Sequence, residues 1–164
     1  TTLAKFTVRK GYLIMLLCAA CNFYYAQTYF QKVYPSAPYE QEGQDIVAMP
    51  DGGYLIAGYS TNSTQYDCNV HILKTDAFGN AMWTKNYGGN KPDFPYHMIP
   101  TADGNYFLIG YSQSYGGGDA DIYLLKIDQN GDLVWSKTFG GNGNDYGKDI
   151  IQTSDGNFKL AIFF

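Results

Sequence analysis

Apolar residues from Thr28 onward fall in short runs separated by Gly, Asp, Asn and Ser, the pattern of strands joined by tight turns. Residues 28–34 alternate and read as a strand, followed by a polar loop over 35–41. A unit then begins with Gly43-Gln44-Asp45-Ile46-Val47, matched by residues 95–99 and by Gly147-Lys148-Asp149-Ile150-Ile151. Asp51-Gly52-Gly53 has turn chemistry, with glycine supplying the positive φ of a tight hairpin. The second strand, Tyr54-Leu55-Ile56-Ala57-Gly58-Tyr59, returns as Tyr106-Phe107-Leu108-Ile109-Gly110-Tyr111. The third, Val70-His71-Ile72-Leu73-Lys74, returns as Ile122-Tyr123-Leu124-Leu125-Lys126. An Asp-x-x-Gly turn then leads to a fourth strand carrying Trp83 or Trp135. The second and third strands are apolar at nearly every position, which predicts burial on both faces.

The spacing is regular. Asp51-Gly52, Asp103-Gly104 and Asp155-Gly156 lie 52 residues apart, as do Asp76, Gly79 and Trp83 from Asp128, Gly131 and Trp135. A fixed period of this length predicts a stacked or circular array, with units over about 43–94, 95–146 and a short 147–164. Four hairpin-linked strands per unit make an antiparallel sheet, and sheets of this size covered on both faces are propeller blades. The expected fold is therefore all-β: antiparallel four-stranded blades in 52-residue repeats, forming a partial, open β-propeller of about two to three blades. Eleven strands are expected in all. Trp83 and Trp135 are expected to anchor one blade on the next, while Gly58 and Gly110 admit the backbone of a neighbouring blade. Lys159-Leu160-Ala161-Ile162-Phe163-Phe164 departs from the repeat, so the chain reads as a fragment.

The Asp-x-x-Gly-x-x-x-Trp turn resembles the tryptophan-docking motif of quinoprotein-like propellers, one residue shorter. The whole unit, from Asp-Gly-Gly-Tyr-Leu-Ile-Ala-Gly-Tyr through Lys-x-Asp-x-x-Gly to Gly-Gly, resembles delta-60-type propeller repeats of secreted bacterial proteins, over about residues 28–164. The resemblance implies architecture and export. It implies neither a quinone cofactor nor a reaction, because fold likeness does not carry function.

Residues 1–27 read as an export signal: Lys5, Arg9 and Lys10 precede an apolar run, Gly11 to Ala20, too short to span a bilayer. Cleavage after Ala26 gives an ending similar to signal peptides of Bacteroidetes-type bacteria. Alternatively, Leu17-Cys18-Ala19-Ala20-Cys21 resembles a lipobox with Cys21 as the lipidated residue. The formal net charge is -4, and the basic residues beyond the signal are scattered singly. A nucleic-acid partner is not expected, since duplex binding needs clustered Lys and Arg.

Candidate chemistry is sparse. Asp128, Asn130 and Asp132 begin like a calcium loop, but no bidentate Glu follows, and Phe78 breaks the other copy. No metal or cofactor is expected, and Cys68 stands apart from any Cys/His cluster. Asp45 and Asp149 share a repeat slot that His97 fills in the middle copy, an arrangement read as structural. The long connections gather at one end of the sheets, and loops on a rigid scaffold commonly carry function. There the candidate binding residues are Tyr66, Asp67, Asp93, Tyr96 and His97 from the first half of the array, with Tyr115, Asp119, Asp121, Asp145 and Tyr146 from the second. The expected function is a non-enzymatic exported scaffold or binding module for a glycan or surface protein. The alternative is part of a secreted carbohydrate-active enzyme whose catalytic residues lie elsewhere.

Overall fold

The computed structural model describes residues 32–34, 40–61 and 68–164. The expected export signal, Cys21, Tyr66 and Asp67 lie outside the described residues. The regular structure within them is all strand: β1 (Gln41–Ala48), β2 (Tyr54–Thr61), β3 (Cys68–Thr75), β4 (Ala81–Tyr87), β5 (Asp93–Pro100), β6 (Tyr106–Ser112), β7 (Asp121–Ile127), β8 (Leu133–Phe139), β9 (Tyr146–Gln152) and β10 (Phe158–Phe163). Each repeat forms its own antiparallel sheet. Sheet 1 runs β1-β2-β3-β4, sheet 2 runs β5-β6-β7-β8, and sheet 3 pairs β9 with β10.

Three expectations need correction. Lys32, Val33 and Tyr34, the described part of the first expected strand, belong to no strand, because no described segment pairs with them. Ten strands are described, and residues 28–31 of the expected eleventh lie outside the described residues. Asp93, Asp121 and Tyr146 belong to strands rather than loops, since pairing begins earlier than the apolar runs suggest, while Tyr96 lies in β5 with the expected first strand. Gly58 and Gly110 admit the backbone of their own paired strand, not that of a neighbouring sheet. A β-bulge shifts register between Gly43 and Asp45, and again between Pro95 and His97. A Cβ at Gly58 would overlap the carbonyl oxygen of Glu42, and one at Gly110 that of Phe94.

The apolar strands divide their residues cleanly by parity. In β6, Tyr106 and Leu108 join Leu55, Ala57, Val70 and Ile72 in a core shared with sheet 1. Their neighbours Phe107 and Ile109 join Ile150 and Phe158 in a second core shared with sheet 3. Strand β7 splits the same way, with Tyr123 and Leu125 towards sheet 1 and Ile122 and Leu124 towards sheet 3.

A second device fastens successive repeats at the Asp-x-x-Gly turns. Asp128 uses its carboxylate on the turn itself, accepting from the backbone N–H of Asn130 and Asp132 at 2.8 Å. Asp76 does the same with Phe78 and Asn80. Each turn is then gripped by residues of the preceding repeat. Lys85 Nζ donates to Asp132 Oδ1 at 2.6 Å, and the Tyr87 hydroxyl donates to the Gly131 carbonyl. One repeat earlier, Lys32 Nζ donates to Asn80 Oδ1 at 2.9 Å and Tyr34 OH to Gly79 O at 2.8 Å. Trp83 closes over the same turn, so a Cβ on Gly131 would stand 2.6 Å from its ring. Trp135 meets Phe107 edge-on at 5.0 Å within the second core.

Gly131 carries two demands at once, a φ of 76° and the seat of the Trp83 ring. Gly131→Ala should therefore cost about 1–3 kcal/mol in urea unfolding, with a shifted tryptophan emission. Gly143→Ala, where an added Cβ meets nothing within 4 Å, should stay within about 0.5 kcal/mol.

Candidate functional site

Sheet stacking converts one repeat slot into a continuous aromatic belt. Where the first strand of each sheet pairs with the second, near the loop end, the register sets Glu42 opposite Tyr59, Phe94 opposite Tyr111, and Tyr146 opposite Phe163. Cross-strand pairs on one face lie side by side, and the next sheet brings the next pair alongside. The Tyr59 and Phe94 rings meet across sheets 1 and 2 with centroids 4.4 Å apart. Phe94 stacks on Tyr111 at 5.8 Å, and Tyr111 meets Tyr146 of sheet 3 edge-on at 5.1 Å. Tyr96 touches both Phe94 and Tyr111. Lys148 lies over this group, its Nζ 3.5 Å from the Tyr96 centroid and 5.1 Å from that of Tyr146. All five rings are half-buried, leaving part of each to solvent.

Polar groups border the belt. Tyr59 OH donates to Glu42 Oε2 at 2.9 Å, and Gln44 Nε2 donates to Glu42 Oε1 at 3.2 Å. One bulge further along, the first strands meet in a line of charge. His97 Nδ1 lies 2.8 Å from Asp45 Oδ2, and His97 Nε2 lies 3.3 Å from Asp149 Oδ1. Both are hydrogen bonds together only when each ring nitrogen carries a hydrogen. Asp45 also accepts from the backbone N–H of Met98 at 2.7 Å, tying sheet 1 to sheet 2 directly.

The residues expected at the loop end separate into groups. Tyr96 and Tyr146 belong to the belt, and His97 to the charged line beside it. Asp93 is fully buried, and its Oδ2 accepts from Gly89 N and Ser114 Oγ, both at 2.7 Å. Asp145 and Asp121 are buried too, accepting from Gly141 N at 2.6 Å and Gly118 N at 3.0 Å. These three carboxylates brace loop backbone instead of facing solvent. Tyr115 and Asp119 are exposed, with the Tyr115 hydroxyl donating to Gly88 O at 2.7 Å. Among the described residues, Asn69 Oδ1 and Asp93 Oδ1 are buried without a donor. No group of three or more metal-ligating side chains is gathered among the described residues.

Sequence reasoning missed Tyr59, Phe94, Tyr111 and Lys148 as candidates. Tyr59 and Tyr111 end the second strand of their repeats, where they read as core. Their signal was the shared slot opposite another bulky residue, visible only once register is fixed.

A scan against protein-family models finds no match for this chain, and a search of the curated proteins finds none.

Burial, followed by the Glu42 hydrogen bond, pushes the Tyr59 phenol up to about 12, and burial pushes Tyr111 to about 12 as well. An unfolded tyrosine titrates near ~10. Both groups favour the fold fully below that value, and their contribution falls away as pH rises through about 12. Phenolate absorbance should show these two ionising with alkaline loss of sheet structure, and Tyr59→Phe should remove one late-titrating phenol.

Proposed function

We propose that the stacked sheets are blades of a β-propeller, and that the chain is an exported, non-enzymatic binding module or scaffold of a bacterial cell surface or secretome. Its ligand, a glycan or a surface protein, docks on the aromatic belt. One observation carries this reading: five half-exposed rings from three sheets form one continuous surface, edged by Lys148, Glu42 and Gln44. Such a surface offers apolar ring area together with fixed polar groups, the combination a ligand site uses for affinity and orientation. The stacking supports the propeller part, because β5 lies against both β1 and β9 and each repeat supplies one sheet. The carboxylates of Asp93, Asp121 and Asp145 hold the loops around this end, giving the belt a stiff surround.

A glycan array and a panel of bacterial surface proteins, probed with the intact chain, test the reading. Tyr96→Ala should weaken a bound ligand about two- to tenfold, the range for losing one aromatic contact, and Tyr111→Ala at least as much. Tyr115→Ala, outside the belt, should leave binding unchanged. A ligand indifferent to both belt substitutions, or no ligand above the Tyr111→Ala background, refutes the belt as the site.

A further inference from the structure

We infer that the junction between successive sheets at the loop end is a calcium site, built at Asn69 and Asp93 and again at Asp121 and Asp145. The two pairs stand 52 residues apart, and each closes on the first glycine of a Gly-Gly pair. A Cβ on Gly88 would stand 2.0 Å from Asn69 Oδ1 and 2.4 Å from Asp93 Oδ2. One on Gly140 would stand 2.2 Å from Asp121 Oδ1 and 2.5 Å from Asp145 Oδ2. Each glycine thus leaves two side-chain oxygens sharing one small space.

Charge is unbalanced there. Asp93, Asp121 and Asp145 are 0%, 2% and 5% exposed. The ion pairs among the described residues engage Asp45, Asp51, Asp103, Asp132 and Asp149, and none reaches these three. Buried carboxylates are ordinarily paired with a cation or bound to a metal, because an unpaired buried charge is costly. The first pair carries an independent sign of a missing positive group. Asp93 accepts from Gly89 N and Ser114 Oγ through Oδ2, whereas its Oδ1 and Asn69 Oδ1 are both buried without a donor. A cation satisfies both oxygens at once.

The donors select the ion. All are oxygens, from carboxylates and an amide, which is the set that hard cations take. Calcium accepts irregular shells completed by backbone carbonyls and water, whereas magnesium demands a near-octahedral one. The Asp128 turn, which begins like a calcium loop, is a different place, and its carboxylate is engaged by its own backbone. Asn69 belongs to β3 of sheet 1 and Asp93 to β5 of sheet 2. Asp121 likewise belongs to β7 of sheet 2, and Asp145 leads into β9 of sheet 3. An ion at either junction therefore ties one sheet to the next at the loop end. It needs no ligand at the belt, so the inference stands apart from that reading.

The test strips the intact chain with EDTA, then titrates it with calcium chloride by isothermal calorimetry and follows thermal unfolding. Calcium should bind saturably and raise the unfolding midpoint, and magnesium should bind more weakly. Asp93→Asn and Asp121→Asn should each weaken one junction about tenfold or more. Asp93→Asn also sets an amide N–H near Asn69 Oδ1, so the calcium-free midpoint should hold or rise. Asn69→Asp gives the first junction the two carboxylates of the second and should tighten calcium there about tenfold, a gain that misfolding cannot produce. Absence of saturable calcium binding overturns the proposal, as does binding indifferent to both Asp93→Asn and Asn69→Asp.

Discussion

Sheet 2 covers Tyr106, Leu108, Tyr123 and Leu125 with sheet 1, and Phe107, Ile109, Ile122 and Leu124 with sheet 3. A strand buried on both faces needs a layer on each side, and the other features follow from that need. At roughly 25 cal/mol per Å² of apolar surface removed from water, each covered face is a major part of the stability of its repeat. Burial alone is not directional, however. The clasp of Lys85, Tyr87 and Trp83 on the Gly131 turn supplies direction, because it is met only when a turn arrives in one register. The cores make stacking favourable, and the clasps fix how far each sheet slides on the last.

The loop end inherits its form from the same stacking. Asp93 and Asp145 occupy one repeat slot, and each accepts from the second glycine of a Gly-Gly pair, folding the connection back over the sheets. The first strands can then present Phe94, Tyr96 and Tyr146 side by side. Residues that looked like solvent-facing ligands in the sequence prove to be braces. The surface they support joins two expected candidates, Tyr96 and Tyr146, to Tyr59 and Tyr111, which looked like core.

Much of the architecture was legible in the sequence because the repeat states it more than once. A 52-residue step in Asp-Gly pairs, in Trp83 and Trp135, and in two near-continuous apolar strands led directly to the four-stranded sheets. Register was not legible. Whether Gly58 meets its own sheet or the next depends on a bulge between Gly43 and Asp45, which no residue type announces. The belt was hidden for the same reason, since Tyr59 reads as the end of a buried strand until Glu42 and Phe94 are known to be its neighbours. The fate of the aspartates was illegible in another way. Asp93 and Asp119 look equally polar in the sequence, and only the fold buries one against the Gly89 amide and the Ser114 hydroxyl while leaving the other in water.

Stacked repeats also limit what an array may repeat. Identical residues at one slot end up facing each other across successive sheets. Aromatic slots tolerate this, and the Phe94 and Tyr146 rings both lie against Tyr111. A charged slot does not: two like charges 4 Å apart repel by about 1 kcal/mol in water and about 4 kcal/mol in the effective dielectric of a protein surface. The slot of Asp45 and Asp149 meets that constraint at its middle member, where His97 replaces the carboxylate and faces an oxygen on either side. The clasps follow the same rule, setting Lys85 against Asp132 rather than against another lysine. His97 is unique in the repeat, which ordinarily marks a functional residue. Here the stacking accounts for it: a position between two carboxylates has to carry something other than a third.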